Sequence, residues 1–180
     1  MATNPTMVTA AAAVLASAER DQYLTFMLGT EVFAIGILSI KEIIEYGALT
    51  AVPMMPDCIR GVINLRGAVV PVLDLSVRFG KTANEVTKRT CIVIVEVQSL
   101  GERHDIGVVV DAVSDVVEVI PGAIRPVPDM GTTVDTEYLK GLTSVAERMV
   151  LLLDVDRLLQ PQDAQMLEAA LASSEVKAVA

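Results

Sequence analysis

The sequence has few of the residues that usually carry catalysis, metal binding or cross-linking. Among its 180 residues there is no Trp, aromatic residues make up 3%, and His104 is the single His. The two cysteines, Cys58 and Cys91, lie far apart and match no metal-binding spacing. They are typical of reduced thiols in a cytoplasmic protein, with a disulfide as the alternative. Apolar residues still make up 52% of the chain, so Val, Ile, Leu and Ala must build its interior.

Positive charge is also scarce, since 14 Lys and Arg stand against 23 Asp and Glu for a net charge of −9. Nucleic acids and anionic membranes attract clustered Lys and Arg, so neither is expected as a partner. The N-terminus lacks the cationic start of a signal peptide and is not apolar enough to span a membrane. We predict a flexible N-terminal tail over residues 1–20, a cytoplasmic location and no direct membrane insertion. No phosphate loop or dinucleotide fingerprint appears, and no cofactor is expected.

An internal repeat is the main organisational feature of the chain. The segments "RGVINLRGAVVPVLDLSVRF" (60–79) and "KGLTSVAERMVLLLDVDRLL" (140–159) align without a gap, which pairs glycine with glycine and aspartate with aspartate. Upstream, "IKEIIE" (40–45) matches "VSDVVE" (113–118), and a hairpin pattern precedes each of them. Five short strands per half predict two small barrels, joined by a polar linker near 81–89.

The end of the chain has a helical pattern. Pro161 fits the first turn of a helix, whose predicted apolar side is formed by Met166, Leu167, Ala170 and Leu171. We therefore predict a C-terminal helix and tail over 161–180.

A single cation interrupts the apolar hairpin of the first half. Two β runs meet at Arg66 and Gly67, and glycine permits the positive φ that a tight turn needs. Arg66 is predicted to project from this turn into solvent, to pair with Asp74 or Glu42, or to contact a partner. The matching residue of the second half is Ala146, so the fold does not require arginine here. The asymmetry favours a recognition role added to one copy of the scaffold.

The stretch "GVINLRG", followed by "VPVLDL", resembles the signature of the CheW family of chemotaxis coupling proteins. Similar family markers are "YLTFMLGTEVFAIGILSIKEIIEY", "IGVVVDAVSDVVEV", "IRPVPDM" and "EYLKGL", which together extend the resemblance over most of 21–160. The resemblance implies a mainly all-β domain of two intertwined five-stranded SH3-like β-barrels. It also implies that the first hairpin joins the second barrel and that an apolar layer lies between the barrels.

The resemblance further implies a non-enzymatic adaptor. It would couple the cytoplasmic tip of methyl-accepting chemoreceptors to the histidine kinase CheA in membrane-associated signalling arrays. A groove between barrels would accept the helical receptor tip, and the regulatory domain of the kinase would dock barrel to barrel. An adaptor of a related, non-flagellar chemosensory pathway would need the same surface and remains an alternative.

Two sets of residues are implied as contacts by the same resemblance. Taken singly, Ile40, Ile43, Val108 and Val110 fit a buried core better than a contact, and the repeat favours a purely conformational role for the two glycines. The receptor-binding set is Ile40, Glu42, Ile43, Gly61, Asn64, Leu65 and Arg66, and the kinase-binding set is Val108, Val110, Asp111, Val113 and Gly141.

A catalytic alternative is a hydrolase that uses Cys58 and His104, which would require the two side chains to be adjacent beside an oxyanion site. No sequence signature supports it. Asp111, Asp115 and Glu118 suggest a cation site, but solvated carboxylates that protect a strand edge explain them better. We expect neither a catalytic nor a metal site.

Overall fold

The computed structural model describes residues 21–99, 101–128 and 134–178. The predicted N-terminal tail over 1–20 and the last two residues of the predicted C-terminal segment lie outside the described residues. The described strands are β1 (Asp21–Leu28), β2 (Glu31–Gly36), β3 (Ile40–Glu45), β4 (Ile59–Leu65), β5 (Ala68–Asp74), β6 (Cys91–Ser99), β7 (Glu102–Val110), β8 (Ala112–Val119), β9 (Leu139–Val145) and β10 (Arg148–Leu153). The α-helices are α1 (Leu75–Arg78), α2 (Val155–Leu158) and α3 (Pro161–Ala178).

The strands form two five-stranded sheets with the same internal order. One sheet runs β8-β1-β2-β10-β9 and the other runs β3-β6-β7-β5-β4. Repeat-related strands occupy the same places, because β8 corresponds to β3, β10 to β5 and β9 to β4. The first hairpin, β1–β2, sits within the sheet of the second half, and β6–β7 sits within the sheet of the first. The predicted repeat and the interleaving implied by the family resemblance are therefore both confirmed.

Both sheets are curled into half-barrels and share one mode of closure. In the first sheet β10 pairs in parallel with β2, and in the second β5 pairs in parallel with β7, while the other strand pairs are antiparallel. A parallel pair requires a long connection. Because the hairpins are exchanged between the halves, long segments of chain separate β2 from β10 and β5 from β7. The finer classification of the half-barrels as SH3-like stays a prediction from the resemblance.

The main hydrophobic core lies between the two sheets. Leu24, Phe26 and Leu28 alternate along β1 into this core, as their period of two predicts, and β2 adds Phe33 and Ile35. Aromatic residues run through the middle of it, with ring centroids 6.0 Å apart for Phe26 and Phe33, and the row continues to Tyr138. Smaller apolar clusters from each sheet pack separately from this core. The few aromatics are thus concentrated where two layers meet.

The matched aspartates of the repeat end their strands in the same way. Asp74 Oδ1 accepts a hydrogen bond from the Val77 amide at 3.2 Å, and Asp154 Oδ1 accepts one from the Asp156 amide at 3.2 Å. Each carboxylate therefore caps the short helix that follows its strand. The halves differ in that Asp74 is almost fully buried and its Oδ2 lies 2.6 Å from Arg60 Nε.

Helix α3 begins at Pro161, as predicted, and packs on the inter-sheet core through Ala164 and Leu167. Asp163 of α3 forms an ion pair with Arg78 of α1, and both side chains are largely buried. Met166, predicted on the apolar side, is instead 42% exposed, because the buried face is formed by the neighbouring positions. No helix among the described residues is both long and apolar enough to cross a membrane.

Candidate functional site

The turn between β4 and β5 presents Arg66 to solvent. Leu65 pairs with Ala68, which leaves a two-residue loop in which Arg66 and Gly67 have φ values of 54° and 87°. Positive φ at both positions is the geometry of a type I′ turn, which matches the twist of paired strands. Asn64 Oδ1 accepts a hydrogen bond from the Gly67 amide at 2.9 Å and fixes the turn. The Arg66 side chain is 81% exposed, so the turn is rigid while the guanidinium is accessible.

Arg66 pairs with Glu42, and the other candidate partner, Asp74, is engaged elsewhere. The distance from Arg66 Nη2 to Glu42 Oε2 is 2.9 Å, and the Glu42 side chain is 23% exposed. Glu42 Oε1 is buried and has no hydrogen-bond partner among the described residues. An ion pair with so exposed an arginine is worth about 0–1 kcal/mol. Arg66 is therefore oriented by Glu42 but can exchange this carboxylate for a partner's at little cost.

The ion pair also shows how the sheet is curled. Glu42 lies on β3 and Arg66 at the end of β4, and these two strands are at opposite edges of the same sheet. Their contact brings the two edges together on one side of the half-barrel. Ile43, next to Glu42, is 43% exposed, and Val69 of β5 is 41% exposed. An accessible cation thus lies on a half-barrel whose neighbouring strands also carry exposed aliphatic side chains.

Ile40 and Leu65 have less direct access to this surface. Ile40 is half-buried against the inter-sheet core, and Leu65 is half-buried against the cluster of its own sheet. Part of each side chain remains exposed, so both residues can lie at the border of the surface around Arg66.

Gly61 and Gly141 have a structural role that the sequence could not separate from recognition. A Cβ on Gly61 would lie 2.6 Å from the Thr50 carbonyl oxygen, and a Cβ on Gly141 would lie 2.7 Å from that of Arg125. Both glycines are buried, and each sits where the preceding loop bridges to its strand, as in the Thr50–Val62 pair. Real Cβ atoms do not approach carbonyl oxygens so closely, so the glycines permit a backbone contact that the repeat preserves.

The kinase-binding candidates of β7 are buried in the structure. Val108 and Val110 are 0% exposed and belong to the inter-sheet core, so neither offers surface to a partner. Val113 of β8 is half-buried against the same core. Asp111 lies between the strands and accepts hydrogen bonds from the Gly29 amide at 2.6 Å and from Asn84 Nδ2 at 2.8 Å. The sequence motif here marks residues that hold the sheets together.

Exposed apolar residues of the second half were not anticipated from the sequence. Met149 is 64% exposed and occupies the position that corresponds to Val69 in the gapless repeat. It borders an open cavity of about 430 Å³ beside the β9–β10 turn. Aliphatic residues in strands usually indicate core. One sequence signal could have identified Met149 as exposed. It lies just after the β9–β10 turn, and the matching residue of the first half, Val69, lies just after the turn that carries Arg66.

No hydrogen bond joins Cys58 to His104 among the described residues. Burial raises the pKa of the Cys58 thiol, which disfavours the thiolate that a nucleophile needs. His104 Nε2 lies 3.3 Å from the Ser99 carbonyl oxygen, and neither residue is hydrogen-bonded to the other in the described part of the chain.

The alternative of a cation site at the acidic residues in and just before β8 can be compared with their positions. Across the described ranges, Asp111, Asp115 and Glu118 do not form a cluster of potential metal ligands.

Comparison with known proteins gives a consistent result. The family model of the CheW-like domain matches residues 22–163. The chemotaxis protein CheW of Klebsiella aerogenes is 38% identical over 148 residues, which cover 82% of this chain and 87% of that protein. The chemotaxis protein CheW of Rhizobium meliloti is 35% identical over 135 residues, 75% of this chain and 84% of that protein. The crystal structure of the scaffolding protein TtCheW from Thermoanaerobacter tengcongensis has a TM-score of 0.72 and 31% identity, and the match covers 79% of this chain and 90% of that one.

Proposed function

This chain belongs to the CheW-like domain family and has an adaptor role in chemotaxis, and we propose that it couples chemoreceptor tips to the histidine kinase CheA. In this proposal residues 21–160 form the adaptor unit, which acts in the cytoplasm at membrane-associated receptor arrays. The observation that carries the proposal is Arg66, a cation held outward on a rigid turn of a half-barrel that also exposes aliphatic side chains.

The receptor surface is proposed around the paired edges of the first half-barrel. At these edges a helical hairpin can contact exposed Ile43 and Val69, whose side chains lie on the sheet face opposite to Glu42. The Arg66 guanidinium can then form charge-assisted hydrogen bonds to acidic or amide side chains on the helix. Glu42 keeps the guanidinium oriented before the partner arrives, which lowers the entropy lost on binding. Gly61 and Asn64 act indirectly, by shaping the backbone beneath and around the turn.

The kinase surface is proposed on the other half-barrel. Because Val108 and Val110 are fully buried, the contact must use exposed groups instead, and Met149 with the adjoining cavity of about 430 Å³ is the best placed. Val116 of β8, 49% exposed, adds a second apolar position on the same sheet. Distinct sheets would then serve the two partners, so one chain can hold both at once.

Reconstitution of the three components tests the proposal. Purified chain, receptor cytoplasmic fragments assembled on vesicles, and CheA are combined, and kinase autophosphorylation is measured. We expect strong stimulation only when the chain and the receptor are both present, and no substrate turnover by the chain alone. Stimulation of CheA by receptor that does not depend on the chain would contradict coupling. Esterase or protease activity lost in Cys58→Ser would favour the hydrolase instead.

A further inference from the structure

Three side chains with metal-ligating groups meet where α3 packs against β7. Glu102 and His104 lie on β7 and Glu168 lies on α3, and one ligand atom from each is within 4.8 Å of the other two. Glu102 and His104 are two residues apart on a strand, so their side chains share a face. The packing of α3 brings Glu168 to that face. Residues that are distant in sequence are thereby placed at ligand spacing.

One ring nitrogen of His104 is engaged by the backbone. His104 Nε2 lies 3.3 Å from the Ser99 carbonyl oxygen, which can only accept a hydrogen bond. In a neutral ring this contact favours the tautomer with its proton on Nε2, which leaves the Nδ1 lone pair for a metal ion. A backbone carbonyl that fixes the tautomer in this way is the usual second partner of a metal-ligating histidine. The cluster is thus more than a pair of neighbouring carboxylates.

The electrostatics and the space around the cluster also suit a cation. Arg103 lies between Glu102 and His104 in sequence, but it forms its ion pair with Glu96. The distance from Arg103 Nη1 to Glu96 Oε1 is 3.3 Å. In the part of the chain that the structure describes, no Lys or Arg nitrogen lies within 4.0 Å of the Glu102 or Glu168 carboxylates. A cavity of about 270 Å³ adjoins the cluster and is lined by His104 and Glu168, together with Arg103 and mainly apolar side chains.

We propose that Glu102, His104 and Glu168 bind a divalent transition-metal ion, of which zinc is the representative, and that the ion fastens α3 to β7. One imidazole and two carboxylates leave a fourth tetrahedral position for water. Metal–ligand bonds of about 2.0–2.2 Å place tetrahedral ligands about 3.4 Å apart. The three side chains must therefore close by about 1.5 Å at most, which changes of glutamate rotamer allow. The imidazole favours zinc over magnesium or calcium, which prefer oxygen ligands.

The single histidine makes a direct test possible in the full chain, independently of the adaptor proposal. Zinc chloride is titrated into ¹⁵N-labelled protein under reducing conditions, and the ring nitrogens of His104 are followed by NMR. We expect a saturable shift of the Nδ1 resonance with one equivalent bound. By calorimetry, His104→Gln and Glu168→Gln should each weaken zinc affinity at least about tenfold. Glu85→Gln, an exposed carboxylate elsewhere, is the matched control and should bind as the wild type does.

Two results would overturn the inference. An imidazole spectrum unchanged up to millimolar zinc would eliminate the site, even if the cysteines bind metal. A shifted imidazole with an unchanged affinity in Glu168→Gln would eliminate the link to α3, as would hydrogen exchange in that helix that does not slow when zinc is added. Since Glu102 and Glu168 are exposed and His104 is half-buried, circular dichroism should show the variants folded, and the spectrum of the unmodified chain decides the issue in any case.

Discussion

Replacement of Arg66 by Asn should separate recognition from folding. The turn residue has φ 54°, where Asn is better tolerated than Arg, and Asn-Gly is a preferred pair for a type I′ turn. The substitution loses an exposed ion pair with Glu42, worth about 0–1 kcal/mol. The substitution stabilises the fold by about 1 kcal/mol at most, because Asn tolerates the left-handed backbone conformation better than Arg does. The free energy of unfolding should therefore change by less than about 1 kcal/mol, with a melting shift within about 4 °C.

Binding should respond far more strongly than stability. An arginine at the centre of an interface typically contributes about 2 kcal/mol or more, which corresponds to a loss in affinity of about 30-fold. Titration calorimetry with a soluble receptor-tip hairpin measures this loss, and urea unfolding measures stability on the same samples. Arg148→Asn is the matched control, because Arg148 is exposed on the corresponding hairpin of the other half. It should leave receptor affinity unchanged.

Two outcomes would refute the reasoning on Arg66. Receptor affinity within about twofold of the wild type, in a folded variant, would remove Arg66 from the receptor surface. Destabilisation by more than about 2 kcal/mol would show that the residue is structural, contrary to its exposure and its weak ion pair.

The structure predicts three further effects on stability. Gly141→Ala should cost about 1–3 kcal/mol in urea unfolding, because the new Cβ meets backbone, whereas Gly122→Ala has open space and should cost little. Asp74→Asn keeps the helix cap but removes the counter-charge of half-buried Arg60, which retains its hydrogen bond to Tyr46, at about 1–3 kcal/mol, whereas Asp154→Asn should cost less than about 1 kcal/mol; equal losses would contradict this. Burial raises the pKa of Cys58, so the folded state holds its proton more tightly and stability should fall as pH rises above about 8.5. Between pH 7 and 10, the free energy of unfolding measured in urea should fall less steeply with pH in Cys58→Ala than in the unmodified chain. Equal slopes would exclude a contribution from Cys58.

The sequence was sufficient to predict the duplicated all-β scaffold, because period-two burial and the gapless repeat are local signals. It predicted the outward Arg66 but left its partner open between Glu42 and Asp74. That choice depends on how the sheet curls, which brings β3 to the β4–β5 turn. For Val108, the residue type favoured the core, whereas the family resemblance implied a contact with the kinase. A strand residue of a small barrel faces either the core or a partner, and only the neighbouring sheet decides which.

The duplication offers an internal test of which residues are structural. Positions that the fold needs recur in both halves, as the buried glycines at Gly61 and Gly141 do, and so do the positive φ values of both turns. Positions that differ between the halves are free of that requirement. The equivalent of Arg66 in the second half is Ala146, which carries no charge, although the two residues have nearly the same φ, 54° and 50°. A side chain that the common backbone does not require, held outward in one half only, is best explained by a partner that binds one half-barrel and not the other.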